Sequence, residues 1–111
     1  MTWAYQDKPE MTAALAEQYT VADNANNALV IPAGLAFAKA IGRKPDLVMS
    51  QKDKRHPSLL GTYLSAATIH SAIYRKPVTS APAIAGISPD TAAFLHAVAW
   101  ETVQEYYGSS R

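Results

Sequence analysis

Ala28-Leu29-Val30-Ile31-Pro32 is the stretch on which the fold turns. Four apolar residues without polar alternation suit a strand buried on both faces, as in a parallel sheet, and Pro32 closes the run. Upstream, Thr2-Trp3-Ala4-Tyr5 is short, aromatic and β-prone, and it stops at Gln6-Asp7-Lys8. Between the two runs lies a helical pattern. Asp7, Pro9 and Glu10 form a start signal, and Met11, Leu15, Tyr19 and Ala22 recur at helical spacing. Asn24, Asn26 and Asn27 close it, because their side chains compete for backbone hydrogen bonds and tolerate left-handed conformations. Strand, helix and strand across about thirty residues predict a right-handed βαβ unit. The expected fold class is therefore α/β, a βαβ unit followed by helices and mostly helical by content, in a single domain over residues 1–111.

Beyond Pro32, the segment from Gly34 to Ile41 predicts a second helix, stopped by Gly42 and Pro45. Asp46 to Met49 predicts a weak strand or an extended arm, and Ser50 to His56 is the most polar loop of the chain. Pro57 suits the first turn of a third helix, where its missing N–H would have had no intrahelical partner. That helix carries Leu60, Tyr63, Leu64, Ala67 and Tyr74 toward a core, with Gly61 and Ser65 permitting close approach, and Lys76-Pro77 ends it. Ser88-Pro89-Asp90 combines a cap, a first-turn proline and a first-turn acid, the clearest helix start in the chain. Phe94, Leu95, Val98, Trp100, Val103 and Tyr107 follow, apolar over more than one face, with Gly108 as the stop.

Composition narrows the function classes. Ten Lys and Arg against nine Asp and Glu give a formal charge of +1, which supplies no electrostatic footprint for nucleic acid or anionic lipid. The absence of cysteine excludes disulfides and thiolate metal sites. No stretch approaches the ~20 apolar residues that span a bilayer, and Asp7 and Lys8 stand where a signal peptide needs an apolar run. A cytoplasmic chain with neither nucleic-acid nor membrane partner is expected.

The chemistry-bearing segment is Asp53-Lys54-Arg55-His56-Pro57-Ser58-Leu59-Leu60-Gly61. An acid three residues before a histidine, at the mouth of a helix, can orient the imidazole. A carboxylate that accepts from one ring nitrogen leaves the other free to take a proton from a nucleophile. Asp53, His56 and Pro57 resemble the D-x-x-H-P block of the SGNH (GDSL-type) hydrolases, and Gly61 with Tyr63-Leu64-Ser65-Ala66 resembles the small-residue helix after it. The resemblance extends backward through Ala28–Pro32 and Thr2–Tyr5 as the last two strands of that family's flavodoxin-like sheet. It thus covers most of this chain but only the C-terminal part of the family fold. It implies ester hydrolysis with Asp53 as the orienting acid and His56 as the general base, without metal or organic cofactor. The family's serine block and its oxyanion asparagine block are both absent, so the nucleophile would have to come from a missing N-terminal half. The chain alone is expected to be inactive toward esters.

The other residues draw plainer readings. Ser50 and Ser58 are the nearest hydroxyls, but neither sits on a strand-to-helix elbow with a built-in oxyanion hole. His70 and His96 fall within helical apolar stretches, as core or interface histidines. Lys52, Asp53, Lys54 and Arg55 mix signs, which suits a solvated loop. The competing function is a non-enzymatic helical module that self-associates through surplus apolar surface. A homo-oligomer is expected, formed by pairing of the Trp3 segment or by packing of the last helix against its mate.

Overall fold

A computed structural model describes residues 3, 7–25, 30–53, 56–78 and 87–109. They form four α-helices in chain order: α1 (Met11–Ala25), α2 (Ala33–Arg43), α3 (Leu59–Tyr74) and α4 (Pro89–Ser109). Among the described residues there is no strand and no sheet, only one isolated antiparallel bridge between Ser50 and Pro57. The expected α/β class with its βαβ unit is therefore corrected to an all-helical protein. Of the two runs assigned as strands, Trp3, Val30 and Ile31 lie among the described residues, and Thr2, Ala4, Tyr5, Ala28 and Leu29 lie outside them.

Val30 and Ile31, the described residues of the second run, are bonded otherwise than in a strand. The Val30 side chain is buried, and its carbonyl accepts from the Tyr107 hydroxyl near the end of α4 instead of from a neighbouring strand. The next carbonyl, of Ile31, accepts from Ala33 N–H at 2.8 Å, turning the chain directly into α2. Pro32 is fully buried and has no N–H to give to a ladder. Val30 to Pro32 is thus irregular chain whose Val30 and Ile31 carbonyls are satisfied by a tyrosine and a turn. Trp3 likewise lies against the helical body, its ring stacked on that of Phe37 of α2 with centroids 4.9 Å apart.

The core is the meeting of α2, α3 and α4. Ala36, Phe37 and Ala40 on α2, Leu64 and Ala67 on α3, and Leu95, Val98 and Ala99 on α4 enclose it, together with Met49 from the α2–α3 connection. Leu64, Leu95 and Val98 are fully buried, each worth roughly 1.5–3 kcal/mol. Leu95, Val98, Ala99 and Val103 of α4 are buried in this way, whereas Phe94, Trp100, Tyr106 and Tyr107 stay partly exposed. α1 has no buried residue and leans on α2, with Thr20 Oγ1 and Tyr106 Oη, 2.5 Å apart, linking it to α4.

Helix boundaries follow local chemistry. Ser88 Oγ accepts from Thr91 N at 3.2 Å, the cap expected from Ser88-Pro89-Asp90. At α3 the cap is Ser58, whose Oγ accepts from Gly61 N at 3.2 Å. Pro57 falls outside that helix, in the bridge with Ser50, and not in its first turn. Arg75 ends α3 in the left-handed conformation at φ 57°, its N–H bonded to Ser71 O. Gly108 does not stop α4, which runs on to Ser109.

Candidate functional site

Residues 49–53 and 56–58 come together at the mouth of α3. Ser58 N–H donates to Met49 O at 2.9 Å and Gln51 N–H donates to His56 O at 2.7 Å. Gln51 Nε2 adds a bond to Pro57 O at 3.2 Å. The base of the loop is buried at Met49 and Ser50, whereas its tip is solvated.

At the tip, Asp53 and His56 come together as the sequence predicts. Asp53 Oδ2 lies 2.5 Å from His56 Nδ1, and Oδ1 accepts from the His56 backbone N–H at 3.1 Å. A carboxylate accepting from Nδ1–H leaves the lone pair of a neutral ring on Nε2, the arrangement of a general base. The same two bonds also hold positions 53 and 56 together, which is sufficient reason for them in a loop. The His56 side chain is 72% exposed and that of Asp53 44%. In such a setting water screens the pair and competes for both partners.

The neighbouring hydroxyls are not positioned as nucleophiles. Ser58 Oγ donates to Val48 O at 2.5 Å and accepts from Gly61 N, so it is spent on capping, and Ser50 is buried. Clefts of the helical body lie elsewhere. One of about 280 Å³ is lined by Leu35, Lys39, Thr102, Glu105 and Tyr106, another of about 300 Å³ by Arg75, Trp100, Val103, Gln104, Tyr107 and Gly108, and an open one of about 440 Å³ by Ala14, Glu17, Gln18, Val21 and Ala22. None of these includes Asp53 or His56. Among the described residues no group of three His, Asp or Glu side chains is placed to hold a metal ion.

His96 is a histidine of the helix interface: its Nε2 lies 2.6 Å from Tyr63 Oη across α3 and α4. Burial lowers its pKa below the usual imidazole value, favouring the neutral ring. The His70 ring lies 4.9 Å from that of Tyr74, and its Nδ1 is buried without a hydrogen-bond partner. An ion cluster that composition does not reveal joins α2 to α4. Arg43 holds Glu101 through two bonds of 2.6 Å, and Lys39 reaches Glu105 at 2.6 Å. Those hydrogen bonds and charges pull the Glu101 carboxyl down to about 2.

The surface that sequence reasoning missed is the outward face of α3. Leu59, Thr62, Ala66, Ile69 and Ile73 are all exposed and succeed one another at spacings of three, four, three and four. That alternation is the spacing along which helices in general pack lengthwise on one another. Tyr74, expected in the core, is 63% exposed beside it. The signal was present in the sequence: no residue from Leu59 to Tyr74 carries a formal charge, so neither face of this helix is made for water.

Among the described residues, no helix is long and apolar enough to cross a membrane. No family model matches the chain, and no curated protein or solved structure matches it either.

Proposed function

We propose that the chain is a non-enzymatic helical module that associates with a second copy of itself through α3. The observation that carries this reading is the exposed stripe Leu59-Thr62-Ala66-Ile69-Ile73 on a helix without a charged residue. The opposite face of α3 already forms the core through Leu64, Ala67, Thr68 and Ala72, so the stripe is surplus to the fold. Contiguous apolar surface of this kind, left in water, marks an interaction site. An uncharged stripe matches another uncharged stripe, since burying an unpaired charge against it would be penalised. Light scattering after size exclusion tests the reading. Twice the 12.0 kDa chain mass is expected at tens of micromolar, falling toward one chain on dilution and in Ile69→Glu. A mass of one chain at every concentration overturns it.

The Asp53–His56 contact supports a second reading, the acid and base of an SGNH-type ester hydrolase whose serine comes from elsewhere. The supporting geometry is the fixed ring orientation alone, without a hydroxyl or an oxyanion donor beside it. Hydrolysis of p-nitrophenyl acetate that is lost in His56→Ala would favour it. Rates at the buffer background for both proteins would count against activity of the chain alone, because nucleophile and oxyanion donors supply most of such a rate.

A further inference from the structure

We infer that the cleft where α3 and α4 end side by side binds a small aromatic carboxylate, with Arg75 meeting the carboxylate and Trp100 the ring. This goes beyond the association reading and does not depend on it. The Tyr63–His96 bond near the start of the two helices and the Arg75–Tyr107 contact near their ends show that α3 and α4 run in the same direction. Arg75, the cap of α3, therefore stands against the closing turns of α4. On that helix Trp100, Val103, Gln104 and Tyr107 follow one another at spacings of three, one and three, which sets them on one face. With Arg75 they line a cleft of about 300 Å³.

Arg75 is the anchor. Lys39 and Arg43 hold Glu105 and Glu101, and Lys44 lies over the Phe94 ring. Among the described residues no carboxylate pairs with Arg75, whose guanidinium lies 4.1 Å from the centre of the Tyr107 ring. Stacking occupies the face of a guanidinium and leaves its edge, the fork of N–H donors that grips a carboxylate with two bonds. The ring beneath is itself fixed from its far end, where the Tyr107 hydroxyl donates to Val30 O. An anchor held in this way has little rotamer freedom left to lose on binding. Burial raises the pKa of Tyr107, so the phenol stays neutral and supplies no counter-charge. The backbone adds a second sign. Arg75 sits at φ 57°, the left-handed cap position that glycine fills without strain.

The rest of the lining selects the ligand. Among the described residues that line the cleft, Arg75 carries the sole formal charge, so one negative charge is answered. A phosphate dianion would ask for a second cation or for the free N–H groups of a helix start, and both helices end here. Trp100, Val103 and Tyr107 offer an apolar, largely aromatic wall, which suits a ring, and the Gln104 amide can donate to a carboxylate oxygen. A volume of about 300 Å³ is at the small end of ligand sites and limits the guest to one or two rings. The partial negative charge of a helix end fades within its last turn, and Trp100 and Gln104 stand before the last turn of α4.

Isotope-labelled protein is titrated with millimolar benzoate, and with benzamide as its neutral counterpart of the same shape. Two-dimensional NMR follows the Trp100 indole N–H and the Gln104 side-chain amide. Saturable shifts at both are expected with benzoate, and benzamide should bind about tenfold more weakly, the factor one charge-assisted hydrogen bond supplies. Arg75→Gly should lose about tenfold in benzoate affinity. It should keep the helical fold by circular dichroism and melt no lower than the parent, since glycine relieves the left-handed cap. If that variant melts lower, Arg75→Lys decides: it keeps the charge without the fork and should bind benzoate more weakly than the parent. Equal binding of benzoate and benzamide, shifts that do not saturate, or no shift at Trp100 would overturn the site. Benzoate affinity unchanged in Arg75→Gly, or in Arg75→Lys, would overturn the role of the guanidinium. Light scattering on the same samples reads association separately from the cleft.

Discussion

Tyr63 of α3 and His96 of α4 share a hydrogen bond of 2.6 Å, with their rings stacked 5.5 Å apart. It is a polar stitch between α3 and α4, at a site where burial favours the neutral imidazole. Burial lowers the pKa of His96, so the unfolded chain binds a proton more readily than the folded one. Stability from this group is full above the unfolded value of about 6.5 and is lost as pH falls through and below it. Thermal melts should therefore drop between pH 7 and pH 5, and His96→Gln should flatten that part of the profile. Tyr63→Phe should cost about 1–2 kcal/mol at pH 7 in a denaturant titration.

Gly61 and Gly42 should respond in opposite directions to alanine. A Cβ on Gly61 would stand 2.3 Å from Met49 O and 3.1 Å from a Phe37 ring carbon, and the first of these is backbone that cannot swing aside. Gly61→Ala should destabilise by about 1–3 kcal/mol, measured as a lower denaturant midpoint. A Cβ on Gly42, near the end of α2, meets nothing within 4 Å, so Gly42→Ala should stabilise by about 0.5–1 kcal/mol.

Glu101 governs an acid-sensitive joint between α2 and α4. Its bonds to Arg43 depress the carboxyl from 4.5 to about 2. A depressed carboxylate contributes above its unfolded value and loses that contribution as pH falls from about 4.5 toward 2. Glu101→Gln should lower the melting temperature at pH 7, and the difference from the parent should vanish near pH 2. A gap that persists in strong acid would show that the side chain acts by packing rather than charge.

Asp53→Ala should cost less than about 1 kcal/mol, because the bonds it removes lie at a solvated loop tip. The melting temperature should shift by a degree or two. A larger loss would mean that the loop tip steadies the first turn of α3.

The helices were legible where end signals and spacing agreed. Ser88, Pro89 and Asp90 marked the start of α4, and Lys76 and Pro77 bounded α3. The Asp53–His56 contact was legible as well, because a three-residue separation across a tight turn brings those side chains together by local geometry alone. Val30 was misread because periodicity cannot separate a buried strand from buried irregular chain in so short a run. What decides between them is the Tyr107 hydroxyl, 77 residues away. α3 was misread for a related reason: in an all-apolar helix every face looks like a core face, and the neighbouring helices decide which one is left over.

The bond from Tyr107 to the Val30 carbonyl also sets an order of events during synthesis. Synthesis proceeds from the N-terminal side, so Val30 emerges long before its donor has been made. Until α4 is complete, the segment that launches α2 has no fixed anchor and the α2–α4 ion cluster has no acids. The nascent chain therefore carries α1, α2 and the bare α3 stripe in an open state until α4 has been made. Native contacts this distant in sequence form late. The interval is one in which α3 of one nascent chain can meet α3 of another before either fold has closed.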